Sequence, residues 1–133
     1  MAFNKQNIYL INSGLVLALV GSYISLSPNE YLNQFGISPV PNASFYSDLR
    51  SMGGSLLIFG LVAIAGSLNK QLQISALFTT TLVFSAYSFF RLTAFVIDGT
   101  PSVAIIAATA IEIVFAFAGV ALLAKYPKQL TSI

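Results

Sequence analysis

With 56% hydrophobic and only 8% charged residues among 133, the chain has too few charges to cover a water-soluble domain, in which roughly a quarter of residues are charged. The length fits one domain, and six basic against four acidic residues leave no basic stripe for nucleic-acid phosphates, so nucleic acid is not expected as a partner. Cys, His and Trp are absent, which excludes disulfides and metal, haem or iron–sulfur sites built on Cys or His; no cofactor and no metal are predicted, and any proton chemistry falls to Glu30, Asp48, Asp98 and Glu112.

Four apolar runs follow one another: about 8–26, 46–68, 72–97 and 102–124. Each is long enough to cross a hydrocarbon core of about 30 Å at about 1.5 Å per residue. Without water in that core, a helix is the conformation that satisfies every backbone group. Lys5 ahead of the first run would also suit a signal peptide, but the run exceeds the usual apolar core of roughly 7–15 residues. The expected fold is all-α: an integral membrane, antiparallel four-helix bundle forming one domain.

Between the first two runs, "SPNEYLNQFG" predicts a short helix over about Pro28 to Phe35. Ser27 and Glu30 match a capping box, Pro28 suits the first helical position and Gly36 the stop. Tyr31, Leu32 and Phe35 share a face, which predicts a helix lying in the membrane interface. "ISPVPNAS" then leads extended into the second run. "NKQ" (Asn69 to Gln71) and "DGTP" (Asp98 to Pro101) are minimal turns. In the latter, Gly99 ends one helix, Thr100 caps the next and Pro101 opens it. Turns this short make consecutive helices antiparallel neighbours.

Lys5, Lys70, Lys125 and Lys128 fall on one side of the four spans, and Glu30, Asp48 and Asp98 on the other. The positive-inside rule then predicts both termini in the cytoplasm. Small residues recur at helical spacing: Gly14, Ala18, Ser22 and Ser25 in the first span; Gly53, Gly54, Gly60, Ala63 and Gly66 in the second; Ala104, Ala108, Ala116 and Gly119 in the fourth. Such rows let helices approach closely in lipid. They either pack the four helices together or present a homo-oligomer interface, for which the uncharged row of the first span is the candidate.

Arg91 and Glu112 stand inside apolar spans. Counted from the "DGTP" turn, Arg91 lies about 10 Å deep and Glu112 about 16 Å, while Arg50 lies about 6 Å deep in the second span. A lone charge in lipid is costly, so these residues are expected to face the bundle interior and meet, with Arg50 close by. The arginine's own face also carries Thr80, Phe84, Tyr87 and Ser88, and Tyr46 and Asp48 sit at the mouth of the second span. The candidate binding residues are therefore Asp48, Arg50, Tyr87, Arg91, Asp98 and Glu112. Three readings remain open: an ion pair that fixes helix register; a polar pocket holding an anionic or polar head group on the forked donors of Arg50 and Arg91; or a snorkelling arginine and a protonated glutamate that never meet.

"LRSMGG" (Leu49 to Gly54), "FRL" (Phe90 to Leu92), "DGTPS" (Asp98 to Ser102) and Glu112, in this order, resemble the bacterial membrane-protein family catalogued as domain of unknown function 4345. The resemblance is clearest from the second span onward. It implies a four-helix protein of the bacterial inner membrane and carries no activity with it. The order Arg, Asp-Gly-Thr-Pro, Glu is also similar to eukaryotic sterol-synthesis scaffold proteins, and the four-span outline to DoxX-like proteins; both likenesses favour binding or scaffolding over catalysis. The expected function is a non-enzymatic binding or scaffold protein whose outward-facing polar cluster takes a lipid-like or anionic amphipathic ligand or a partner membrane subunit, with membrane lipids around it. The alternatives are an oligomeric transporter or channel, or an integral membrane enzyme using Glu112 or Asp48.

Overall fold

In the computed structural model of the chain, residues 4–38 and 42–130 are described, the last four of them by backbone alone. Five helices follow in order: α1 (Lys5–Leu26), α2 (Pro28–Asn33), α3 (Ala43–Leu68), α4 (Lys70–Ile97) and α5 (Val103–Leu130), with no strand among the described residues. All but α2 are long and apolar enough to cross a membrane. Their outward side chains are apolar too: Leu19, Phe78, Phe89, Val114 and Phe117 are each more than half exposed. A bundle surrounded by water would carry polar residues there.

Asparagines start three of the helices. Asn4, Asn42 and Asn69 each accept hydrogen bonds from backbone N–H groups of the following turn, which have no partner inside their own helix. Asn69 also receives the chain from α3, so the turn between α3 and α4 is a single residue. At the opposite end Gly99 takes a positive φ of 97°, as the "DGTP" reading requires, but α5 begins at Val103. Ser102 accepts its first backbone bond from Ile106, and Thr100 and Pro101 stay in the link. The predicted Thr100 cap therefore does not form.

The Ser27–Glu30 capping box is also absent. Ser27 closes α1 with its own N–H on the Tyr23 carbonyl, so its backbone leaves the extended geometry an N-cap needs, and its side chain makes no cap bond. Pro28 at the first position and Gly36 as the stop hold as expected. Gly36 has φ 71°, and its N–H and that of Ile37 bond back to Asn33 and Leu32 in a Schellman closure. Of the extended "ISPVPNAS" segment, 39–41 lie outside the described residues.

Packing begins with α1 and α3, which run antiparallel with backbones in contact. Gly14 faces Gly60 and Gly21 faces Gly53, and a Cβ on any of the four would meet atoms of the opposite helix at 2.8 Å or less. Small residues thus allow the close approach on which helix association in lipid depends. Of the two uses open to the small row of the first span, packing inside the chain is the one it serves here, with Ala18 against Gly60 and Ser25 against Gly53. A second pair, α4 and α5, follows from the Asp98–Pro101 link.

The two pairs are joined at the Asn69 end. There Gly66 admits Ala76, Gly119 admits Thr81 and Tyr9, the Tyr9 hydroxyl donates to the Phe115 carbonyl at 3.1 Å, and the buried Gln73 amide donates to Asn7 at 2.5 Å. Leu10, Ala63, Ala76 and Leu77 fill the space between. Halfway up, Phe84 stacks on Phe115 at 4.8 Å. Beyond that ring pair, toward α2, the helix pairs leave a space between them.

Candidate functional site

That space is a pocket of about 730 Å³. Its floor is Leu17, Leu56 and Phe84, all nearly fully buried. Val16 and Val20 of α1 and Met52 of α3 form one wall, and Ala108 and Ile111 of α5 face them. Phe90 and Ala94 line it from α4. Across its α2 end lies α2 itself, with Leu32 buried and Tyr31 and Phe35 turned inward as part of the lining. The face expected to rest on lipid therefore covers the pocket. A six-residue helix buries more apolar area over a preformed gap in the bundle than against its own neighbours alone.

Two hydrogen bonds pin this cover. The Gln34 amide donates to the Tyr23 hydroxyl at 3.0 Å, and the Tyr46 hydroxyl donates to Asn29 at 2.5 Å, tying α2 to α1 and to α3. The rings of Tyr23, Tyr31 and Phe35 meet edge to face, at 6.2 and 5.0 Å between centroids. Burial pushes the Tyr31 phenol above its ordinary range, with the nearby Arg91 guanidinium pulling the other way. Tyr31 therefore stays protonated near neutrality and remains a hydrogen-bond donor.

The charged pair sits on the pocket wall. Arg91 Nε donates to Glu112 Oε1 at 3.1 Å and lies 3.0 Å from Oε2. Their side chains are 22% and 13% exposed, low enough that the attraction is only partly screened. Glu112 Oε2 is shielded and accepts no hydrogen bond of its own. The guanidinium also lies over the Tyr87 ring at 5.8 Å, a cation–π contact. The pair is made through Nε, and Arg91 also interacts with the Tyr31 hydroxyl. The expectation that Arg91 and Glu112 meet inside the bundle thus agrees with the coordinates.

Of the six predicted residues, the fold brings Tyr87, Arg91 and Glu112 together. Arg50 goes elsewhere: it donates through Nη1 to the Ser25 carbonyl, and the Ser25 hydroxyl returns a bond to the Arg50 carbonyl at 3.1 Å. The last carbonyls of α1 have no partner within their own helix, and Arg50 is the donor that reaches one of them. Asp48 and Asp98 are exposed and lie outside the lining, Asp98 on the link between α4 and α5. An anion site with two arginine forks is therefore not built. Thr80 and Ser88, on the same helix as Arg91, are buried beside the pocket instead of within it, and Ser88 bonds the carbonyl one turn earlier. Six polar or aromatic lining residues fall outside the predicted set: Tyr23, Tyr31, Gln34, Phe35, Phe84 and Phe90. The signal for Tyr23, Tyr31 and Phe35 is the cluster of aromatics flanking "SPNE", which amphipathicity alone directs to lipid, while on α4 Phe84 stands seven residues before Arg91 and Phe90 next to it.

The chain belongs to the family described as a domain of unknown function (DUF4345), whose model matches residues 5–123. That range takes in α1 to α4, α5 as far as Leu123, and every pocket residue. No curated protein and no solved structure matches the chain, so the two further likenesses, to sterol-synthesis scaffolds and DoxX-like proteins, carry nothing into the functional argument. No group of metal-ligating side chains occurs among the described residues.

Proposed function

We propose that the protein is a multi-pass protein of the bacterial inner membrane that holds a lipid-like amphipathic molecule, its apolar body in the pocket and its polar head at the Arg91–Glu112 cluster. The observation that carries this reading is a pocket of about 730 Å³, within the roughly 300–1,000 Å³ of small-molecule sites, and mostly apolar with a few converging polar groups. Four apolar helices whose outward faces are also apolar support the membrane setting. Lys5, Lys70 and Lys125 lie toward the Asn69 end, and Glu30, Asp48 and Asp98 toward α2, which supports cytoplasmic termini and a pocket in the outer half of the bilayer.

Holding fits better than passage or catalysis. The layer of Tyr9, Phe115, Asn7 and Gln73 closes the pocket toward the Asn69 end. Glu112 is engaged by Arg91, and Asp48 is exposed and outside the pocket lining. The test is native mass spectrometry of the protein released from membranes. The expected result is a bound molecule of lipid-like mass on the wild type and its weakened retention by Ala108→Phe, whose ring takes up part of the pocket between α1 and α5 while the chain stays folded. Wild-type protein bare of any such molecule, or equal retention by the variant, would contradict the reading.

A further inference from the structure

The charges around the pocket cancel within the protein, and this restricts the ligand. Among the lining residues only Arg91 and Glu112 are ionised, one of each sign, and both carboxylate oxygens lie within 3.1 Å of Arg91 Nε. Arg50, the other arginine of the α2 end, is bound to the α1 carbonyl at Ser25 and does not face the pocket. Glu30, Asp48 and Asp98 are also outside it. An anionic head group would therefore bring an uncompensated charge into apolar surroundings, where such a charge is costly. A cationic head would meet a carboxylate already engaged and shielded on one oxygen.

The remaining polar groups are chiefly donors. The Tyr23 hydroxyl accepts from the Gln34 amide and the Tyr31 hydroxyl interacts with Arg91, so with Tyr87 these lining residues keep three O–H groups to donate. They suit an uncharged oxygen that accepts hydrogen bonds. Resting on the ligand-holding reading above, we propose that the pocket takes a neutral amphipathic molecule: a hydrocarbon body ending in a hydroxyl or carbonyl that sits between Arg91 and the tyrosines of α2 and α4. The ion pair then acts as a polarised but electrically balanced anchor, and Glu112 sets the selectivity by keeping Arg91 from attracting an anion.

The experiment compares 1-hexadecanol with hexadecyl phosphate, which share a chain and differ in head charge. Each is titrated into phosphatidylcholine nanodiscs holding the full chain, and the thermal unfolding midpoint is read against probe mole fraction. The expected result for the wild type is saturable stabilisation by hexadecanol at a mole fraction at least tenfold lower than hexadecyl phosphate needs. Glu112→Gln leaves Arg91 unbalanced and is expected to reverse that order. The double variant Arg91→Gln, Glu112→Gln is uncharged and is expected to keep the preference for the alcohol, which provides a test even where the single variant does not fold. Preference for the phosphate by the wild type or by the double variant would overturn the neutral-head assignment while leaving a ligand pocket in place. Stabilisation of the wild type by neither probe beyond that of Ala108→Phe would overturn the pocket reading together with it.

Discussion

The contact between α1 and α3 is set by backbone, which makes its sensitivity calculable. A Cβ at Gly21 would lie 2.3 Å from the Leu57 nitrogen, 2.6 Å from the Gly53 carbonyl oxygen and 2.9 Å from the Leu56 carbonyl carbon. None of these atoms turns aside by a rotamer change. Ordinary contact begins near 3.4 Å, so Gly21→Ala requires α1 and α3 to separate by about 1 Å, and overpacking of this kind costs roughly 1–3 kcal/mol. Alanine's better helix propensity returns about 1 kcal/mol, leaving a net loss of up to about 2 kcal/mol. Gly54 is the internal control. One residue from Gly53 on the same helix, its added Cβ meets only the Ser25 hydroxyl at 3.8 Å, so Gly54→Ala should be neutral or stabilising by up to about 1 kcal/mol. Reversible unfolding in mixed micelles, followed by helical circular dichroism, measures both. Equal stability of the two variants would refute the backbone seam, and so would a Gly54→Ala loss larger than that of Gly21→Ala.

Other consequences follow from the ion pair, from Arg50 and from the lysines. Glu112→Gln alone should destabilise by roughly 3 kcal/mol because it strands the Arg91 charge, whereas the double replacement of Arg91 and Glu112 by Gln should recover most of that loss; the same unfolding assay read as a double-mutant cycle gives the coupling, and additive losses would argue against it. Arg50→Ala should cost about 1 kcal/mol through the lost bond to the Ser25 carbonyl and leave hexadecanol binding unchanged in the nanodisc titration, a result opposite to the one expected of a headgroup-binding arginine. A reporter fused after Ile133 should be cytoplasmic and one inserted beside Asn42 external; an external C-terminus would contradict the orientation drawn from Lys5, Lys70 and Lys125.

Much of this architecture is legible in the sequence because lipid leaves few options. Apolar length gives the four long helices, and the short "NKQ" and "DGTP" turns make their successive members antiparallel. The depth of Arg91 and Glu112 along their helices is enough to bring them together, since their long side chains tolerate a difference of about one helical turn. Depth, however, says nothing about direction around a helix axis. Arg50 has a suitable height and points to the end of α1. The row of small residues in α1 shows that something packs there without showing what. The informative signal is a matched spacing: Gly14 and Gly21 stand seven residues apart, as do Gly53 and Gly60, and two antiparallel helices bring those pairs into register. Likewise the Tyr31, Phe35 face of α2 states that this helix needs an apolar neighbour. Whether that neighbour is lipid or the top of the bundle depends on the gap between the two helix pairs, which is a property of the assembled fold.

A pocket that selects one molecule from the membrane around it should make two aromatic positions differ in what they touch. Phe90 lines the pocket and is 68% exposed, while Phe117 is 74% exposed on the bundle's outer surface and lines no part of it. Both positions accept the photoreactive residue p-benzoylphenylalanine with little change of shape. After irradiation in native membranes, adduct masses report what each position touches. One adduct species strongly enriched at position 90 is expected, against a mixture following bulk lipid composition at position 117. The same bulk mixture at both positions would contradict selection by the pocket.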